Sequence, residues 1–150
     1  MNKKDIKLYE LLDYQDPEAV LNEIVQIILL LKAENIIDHF RSVYEDIQRL
    51  FKGDYPGYRA SNTKYHNLEH TIMMTLATAR LTHGCVRGGI KFNPDTILFG
   101  LLASLFHDSG LIQTAYDRKG TGAKYTIGHE RRSIEFMRKN LSLRKFSKND

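Results

Sequence analysis

Apolar residues recur at helical spacing over most of the chain, and they predict five helices. In the first predicted helix, the apolar positions are Leu21, Ile24, Val25, Ile28 and Leu31. In the second, from about Asn35 to Phe51, they are Ile37, Phe40, Tyr44, Ile47, Leu50 and Phe51. Steps of three and four residues place such side chains on one face of a helix. Asp16 and Pro17 can begin the first helix, and Gly53 can end the second.

The third and fourth predicted helices lie next to histidines. In the third, from about His66 to Thr82, one face carries His66, His70, Met73, Ala77 and Leu81. Asn93 and Pro94 can begin the fourth helix. That helix is almost wholly apolar over residues 97–106 and leads into His107 and Asp108. A helix that is apolar on all sides is typical of the buried centre of a bundle, so we expect the fourth helix to be central.

The remaining chain consists of connections and one more helix. Residues 53–64 and 83–92 contain glycines and predict loops, and residues 111–128 predict a long polar loop. The fifth helix begins near His129, and its apolar edge comprises Ile134, Met137 and Leu141. Neither a repeat nor an alternating strand pattern is visible in the sequence. We therefore predict an all-α bundle that forms a single domain over residues 1–150.

Composition limits the function classes. Of the 150 residues, 42% are hydrophobic, which is enough for a real core. The net charge of +4 is spread out, so no basic run predicts nucleic-acid binding. Cys85 is the only cysteine, which excludes an internal disulfide and a thiolate zinc cluster. The start of the chain lacks a signal-peptide core, and no apolar run could span a membrane. We expect a cytoplasmic protein and predict no oligomeric state.

Histidines and one carboxylate bracket the third and fourth predicted helices. His66 and His70 are one helical turn apart, and His107 directly precedes Asp108. Neutral imidazole and carboxylate groups suit divalent Zn, Mn, Fe or Ni, whereas Mg prefers more oxygen ligands. Such an ion polarises a phosphoryl oxygen and lowers the pKa of a bound water from ~15.7 toward about 7. His66 can reach the same pocket without sharing the ion, and it could donate a proton to a leaving alkoxide.

Three motifs carry a resemblance to a known family. YHNLEH at residues 65–70 and FHD at residues 106–108 are similar to the motif pair of cyclic-nucleotide phosphodiesterases, a branch of the HD-domain metal-dependent phosphohydrolases. HERRS at residues 129–133 resembles the HE-x-x-S element of small bacterial HD hydrolases. The resemblance implies an HD-domain helical bundle with one or two divalent ions per chain, from Mn, Mg, Zn, Fe or Ni. It also implies hydrolysis of a nucleotide-like or other small phosphate ester.

The resemblance implies roles for individual residues. The metal ligands would be His70, His107 and Asp108. His66 would be the proton donor for the leaving oxygen, so His66 and Asp108 would be the catalytic pair. His129 would hold a second metal or contact phosphate. Arg131 and Arg132 are further candidates for binding phosphate oxygens of the substrate.

The family pattern closes with a further metal-binding Asp on a later helix, and this sequence departs from that pattern. Asp117 precedes His129, which is the wrong order, and Asp150 has no helix around it. We therefore expect the chain to lack the C-terminal helices of an HD domain, and its activity depends on whether the site works without that ligand. Two alternatives to hydrolysis stay open: a non-catalytic HD module that binds a nucleotide or a protein partner, and a di-iron oxygenase.

Overall fold

The computed structural model describes residues 12–143, and five α-helices make up most of them. They are α1 (Pro17–Leu30), α2 (Ile37–Lys52), α3 (Leu68–Arg87), α4 (Pro94–Phe106) and α5 (His129–Leu143). Short 3₁₀ turns occur at Glu34–Ile36, Ser109–Leu111 and Gly122–Tyr125. Over residues 12–143 there is no strand, and a single β-bridge joins Tyr58 to Thr114. The predicted all-α fold is confirmed.

Several predicted helix ends are confirmed, because they depend on local contacts. The Asp16 carboxylate accepts a hydrogen bond from the backbone N–H of Glu18 at the start of α1. The Asn93 side chain accepts one from the N–H of Thr96 at the start of α4. Gly53 ends α2 with a φ of 86°, in the left-handed region that favours glycine.

The core lies between α1, α2, α3 and α4. Helix α3 packs on α1 and α4, and α2 packs on α4. The largest fully buried side chains of the core include Ile24, Ile28, Phe40, Tyr44, Leu76, Leu101 and Leu105. The Tyr44 hydroxyl donates a hydrogen bond to the carbonyl of Pro17 over 2.8 Å, which ties α2 to the first turn of α1. In the part of the chain that the structure describes, no helix is both long and apolar enough to cross a membrane.

The prediction for α3 was wrong in its start, its end and its buried face. The helix begins at Leu68, because the Asn67 side chain caps it by accepting from the N–H of His70, so His66 lies before the helix. It continues to Arg87 and includes residues 83–87, which were predicted as loop. Its buried residues are Thr71, Ile72, Thr75, Leu76 and Ala79. On the predicted face, Leu81 is instead 70% exposed.

Helices α4 and α5 each expose apolar residues. The expectation that α4 is buried on all sides is not confirmed, because Phe99 is 61% exposed and Ala103 is also exposed. In α5 the buried residues are Ser133, Phe136 and Asn140, whereas Ile134 of the predicted apolar edge is 44% exposed. The buried face of α5 is therefore rotated toward its polar residues, and that rotation matters for the site.

Candidate metal centre

Four histidines from different parts of the chain lie around the Asp108 carboxylate. Asp108 follows the end of α4 and is 1% exposed. Its Oδ2 atom lies 2.7 Å from His66 Nδ1, 3.0 Å from His107 Nε2 and 3.5 Å from His70 Nε2. Its Oδ1 atom lies 3.7 Å from His129 Nε2. Four predicted site residues thus lie around the carboxylate of a fifth, Asp108.

The start of α3 positions two of these histidines. His66 lies in the turn before the helix, where the Thr63 hydroxyl donates to the His66 carbonyl over 2.5 Å. His70 is in the first turn of α3, and its N–H is bound by the Asn67 cap. The Tyr65 ring lies 5.1 Å from the His66 ring and 4.7 Å from the His70 ring, between centroids. Local contacts therefore hold the backbone of both residues, and both rings approach the Oδ2 atom of Asp108.

Backbone carbonyls fix the tautomers of His107 and His129. A carbonyl can only accept, so His107 Nδ1 donates to the Ser104 carbonyl over 2.7 Å, and His129 Nδ1 donates to the Thr126 carbonyl over 2.9 Å. In the neutral rings, each Nε2 then carries a lone pair that faces the Asp108 carboxylate. A lone pair facing a carboxylate is unfavourable unless a proton or a cation lies between them. Histidine ligands of metals are typically oriented in this way.

Electrostatics in the cluster favour a charged carboxylate. Burial alone would raise the pKa of Asp108, but hydrogen bonds with His107 and His66 outweigh it and lower that pKa to about 2. The hydrogen bond with Asp108 raises the pKa of His107 against the effect of burial. Burial lowers the pKa of His70, which favours the neutral imidazole that can act as a ligand. The Asp108 carboxylate is therefore held as an anion, and among its histidine neighbours His70 is shifted toward the neutral form.

The donor set fits a divalent cation. Ligand atoms of His66, His70 and Asp108 all lie within 4.8 Å of one another. An ion bound to nitrogen at about 2.0–2.1 Å holds neighbouring ligand atoms roughly 3 Å apart, so small side-chain movements would close the group around it. His66 lies in this group, but its Nδ1 atom is hydrogen-bonded to Asp108 Oδ2 over 2.7 Å, so its position also fits the proton donor that the sequence predicted. The predicted ligands His107 and His129 face the same carboxylate.

Other predicted site residues have contacts elsewhere. Arg132 donates from Nε to the Gly110 carbonyl over 2.6 Å and from Nη2 to the Ile112 carbonyl over 3.0 Å. Its guanidinium also stacks on the Tyr125 ring, 3.6 Å from the centroid. Arg131 is exposed. Of the three candidate phosphate contacts, Arg132 is thus bound to backbone carbonyls and Arg131 faces solvent.

Neither candidate for the closing Asp joins the cluster. Asp117 accepts a hydrogen bond from Lys124 over 2.5 Å and another from the Tyr125 hydroxyl, and these bonds hold its pKa well below the usual range. Its carboxylate is therefore bonded to other residues of the loop that follows Asp108. Asp150 lies outside the described residues.

Ser133 is a site residue that the sequence did not assign. Its hydroxyl accepts from the N–H of Gly110 over 2.9 Å and donates to the carbonyl of His107 over 2.7 Å. Ser133 is 5% exposed, so water competes little for either bond. A Cβ on Gly110 would lie 2.0 Å from the His129 carbonyl oxygen, so only glycine fits under α5. The signal was the four-residue spacing between Ser133 and His129, which puts both on the face that meets Asp108.

Comparison with known proteins assigns no family to the chain. No protein-family model matches it, and no curated protein or solved structure is significantly similar to it. The arrangement around Asp108 and the motifs that build it are therefore the grounds for assigning a function.

Proposed function

We propose that this protein is a metal-dependent phosphohydrolase that acts on a nucleotide-like or other small phosphate ester. One observation supports a metal centre. His107 and His129 donate from Nδ1 to backbone carbonyls, and their Nε2 atoms face the buried Asp108 carboxylate. The likeness of YHNLEH, FHD and HERRS to HD-domain motifs supports the reaction class. The fold alone would not, because one fold serves many chemistries.

Different residues would bind the cation and transfer the proton during hydrolysis. His70, His107 and Asp108 would hold the cation, with His129 on the other carboxylate oxygen. When bound, the cation would polarise a phosphoryl oxygen and acidify a water molecule. His66 donates from Nδ1 to Asp108, and this hydrogen bond holds the imidazole beside the carboxylate. From there the imidazole would donate a proton to the oxygen that leaves phosphorus.

Metal content and hydrolysis, measured together, test the proposal. The purified protein should contain metal by elemental analysis and hydrolyse phosphate esters when Mn or Mg is supplied. The Asp108→Ala variant should lose both properties. The His66→Gln variant should retain metal and lose hydrolysis. The His83→Ala variant is the control, because His83 lies far along α3 and outside the cluster, and it should retain both.

Each result has a distinct meaning. A His66→Gln protein that loses metal would make His66 a ligand and remove its role as proton donor. A His66→Gln protein that hydrolyses as fast as the parent would remove that role as well. A parent that neither binds metal nor hydrolyses phosphate esters would refute the proposed function.

Two alternatives each have an observation in their favour. Within residues 12–143, Asp108 is the only carboxylate in the grouped ligand atoms, which favours a non-catalytic module that binds a nucleotide or a protein partner. Nucleotide binding without turnover, in protein loaded with Mn or Mg, would support it. His129 faces Oδ1 while three histidines face Oδ2, which favours two ions bridged by one carboxylate. Two irons per chain would support the oxygenase.

A further inference from the structure

Three helices expose apolar side chains on one side of the molecule, and we call these residues the apolar face. The face comprises Met74, Ala77 and Leu81 of α3, Phe99 and Ala103 of α4, and Ile134 of α5. Its most exposed large side chains are Leu81 and Phe99. Single exposed apolar residues are normal in a protein surface, whereas a continuous apolar patch marks a site of interaction.

Direct contacts between α3 and α4 make the face continuous. The hydroxyls of Thr78 and Ser104 share a hydrogen bond of 2.6 Å, and a Cβ on Gly100 would lie 4.0 Å from Thr78 Cγ2. All the α3 residues of the face lie within four positions of Thr78, and its α4 residues lie within three positions of Gly100. At one end of the face, the His70 and His107 rings are 5.5 Å apart between centroids. The face therefore begins at the candidate metal centre and runs away from it along both helices.

A groove of about 220 Å³ between α4 and α5 extends the face. Ala103 and Ile134 line this groove together with Phe106 and His107. An apolar cavity of about 150 Å³ can hold a benzene ring, so the groove has room for one phenylalanine side chain. The exposed Phe99 ring lies one helical turn from Ala103. The face thus carries an aromatic ring and, next to it, a recess that such a ring can fill.

Charged side chains are sparse on this side of the molecule. Between residues 69 and 87 of α3, Arg80 is the only charged residue, and it pairs with Glu23 of α1 over 3.6 Å. Asp95, in the first turn, is the only charged residue of α4. Glu130 is the charged residue that borders the groove. The centre of the face is therefore uncharged.

The lack of charge favours a second copy of the same chain as the partner. A two-fold dimer places the same surface patch of both copies in contact. Because the chain has a net charge of +4, contact through most other surfaces would bring like charges together. The apolar face avoids that repulsion. Its composition also matches the cores of homodimer interfaces, which are depleted of charged residues and enriched in Phe and Met.

We propose that two copies of this chain associate through the apolar face, with the Phe99 ring of each copy against Ala103 of the other. A two-fold axis that passes α4 between residues 99 and 103 produces this pairing, with the two α4 helices antiparallel. The ring then enters the groove beside His107, so the second copy covers one side of the metal centre with apolar atoms. The association depends on neither metal nor hydrolysis.

Sedimentation equilibrium of matched variants tests the proposal. The parent should form a dimer between about 1 and about 100 μM. Phe99→Glu should raise the dissociation constant about thirtyfold or more, because it places a charge at the centre of the interface. Tyr116→Glu is the control, because Tyr116 is 96% exposed in the loop after Asp108, outside the three helices. It should associate like the parent, and circular dichroism should show that both variants are folded.

An exchange of charges tests the pairing of Phe99 with Ala103. Ala103→Lys alone should weaken the dimer, since it places an ammonium against the ring of the other copy. An equimolar mixture of the Phe99→Glu and Ala103→Lys proteins should recover the dimer. In the mixed dimer, the new carboxylate faces the new ammonium, and the second contact remains that of the parent.

Each contrary outcome is specific. A parent that is monomeric over the whole range would overturn the proposal. A Phe99→Glu protein that associates as tightly as the parent would also overturn it, and so would a Tyr116→Glu protein that dissociates to the same extent as Phe99→Glu. If Phe99→Glu dissociates and the mixture does not recover the dimer, the placement of Phe99 on Ala103 is wrong.

Discussion

The hydroxyl of Ser133 holds together the turn that carries Asp108, and its removal gives a measurable prediction. In Ser133→Ala, the Gly110 N–H and the His107 carbonyl each lose a partner. Leaving a buried polar group unpaired costs about 1–3 kcal/mol. For the two groups together, we therefore expect the free energy of unfolding of the metal-free protein to fall by about 2–6 kcal/mol. Urea unfolding followed by circular dichroism measures this difference.

The same variant should weaken metal binding, because residues 107 and 108 lie within the turn. Losing a group that orients a ligand typically lowers metal affinity about 10–100-fold. The control is Asn140→Ala on the same helix. Asn140 is 1% exposed and donates to Asp46 over 2.7 Å and to the Tyr55 hydroxyl over 3.2 Å. It should lose stability to a similar extent and keep the metal affinity of the parent.

Two results would refute this reasoning about Ser133. If Ser133→Ala unfolded at the same urea concentration as the parent, its two hydrogen bonds would not stabilise the turn. If Ser133→Ala and Asn140→Ala weakened metal binding equally, the effect would reflect general loss of stability, and Ser133 would have no specific role in positioning Asp108.

Three further predictions concern the same turn. Gly110→Ala should prevent stable folding or cost several kcal/mol, because its Cβ would overlap a carbonyl of α5, whereas Gly84→Ala, with open space around it, should be tolerated in thermal unfolding. Arg132→Lys keeps the charge but loses the two-pronged contact with backbone, so it should cost about 1–3 kcal/mol in urea unfolding; an unchanged midpoint would count against that contact. The lowered pKa of Asp108 stabilises the metal-free fold above pH 3.8, and this contribution of about 2 kcal/mol should disappear as the pH falls to about 2. Asp108→Asn should lack that part of the pH dependence, and identical slopes for the two proteins would contradict the assignment.

The sequence predicted the helices well because helix formation depends on local signals. Caps such as Asp16 and Asn93 act within three residues, and they are visible in the sequence. The prediction of the buried face of α3 was wrong because it counted apolar residues alone. Thr75 is buried because its hydroxyl donates to the Thr71 carbonyl one turn earlier, which lets a polar residue pack in the core.

The candidate site was predictable in its residue types but not in its geometry. The sequence singled out His66, His70, His107, Asp108 and His129, and the structure groups them. It could not show that His66 lies outside α3, since this depends on Asn67 acting as the cap. Nor could it show that Arg132 is bound to two backbone carbonyls, because those contacts join residues 20 and 22 positions apart in the chain.

If a cation binds the Asp108 cluster, the hydrogen bonds between Ser133 of α5 and the turn after α4 would link its binding to local opening of α5. His129 and Ser133 both belong to α5, so lifting this helix would separate His129 from the carboxylate and release the Gly110 N–H at the same time. A cation bound only to the closed form lowers the population of the open form by mass action. Amide hydrogen exchange in α5 should therefore slow as cation is added, while exchange in α1 changes little.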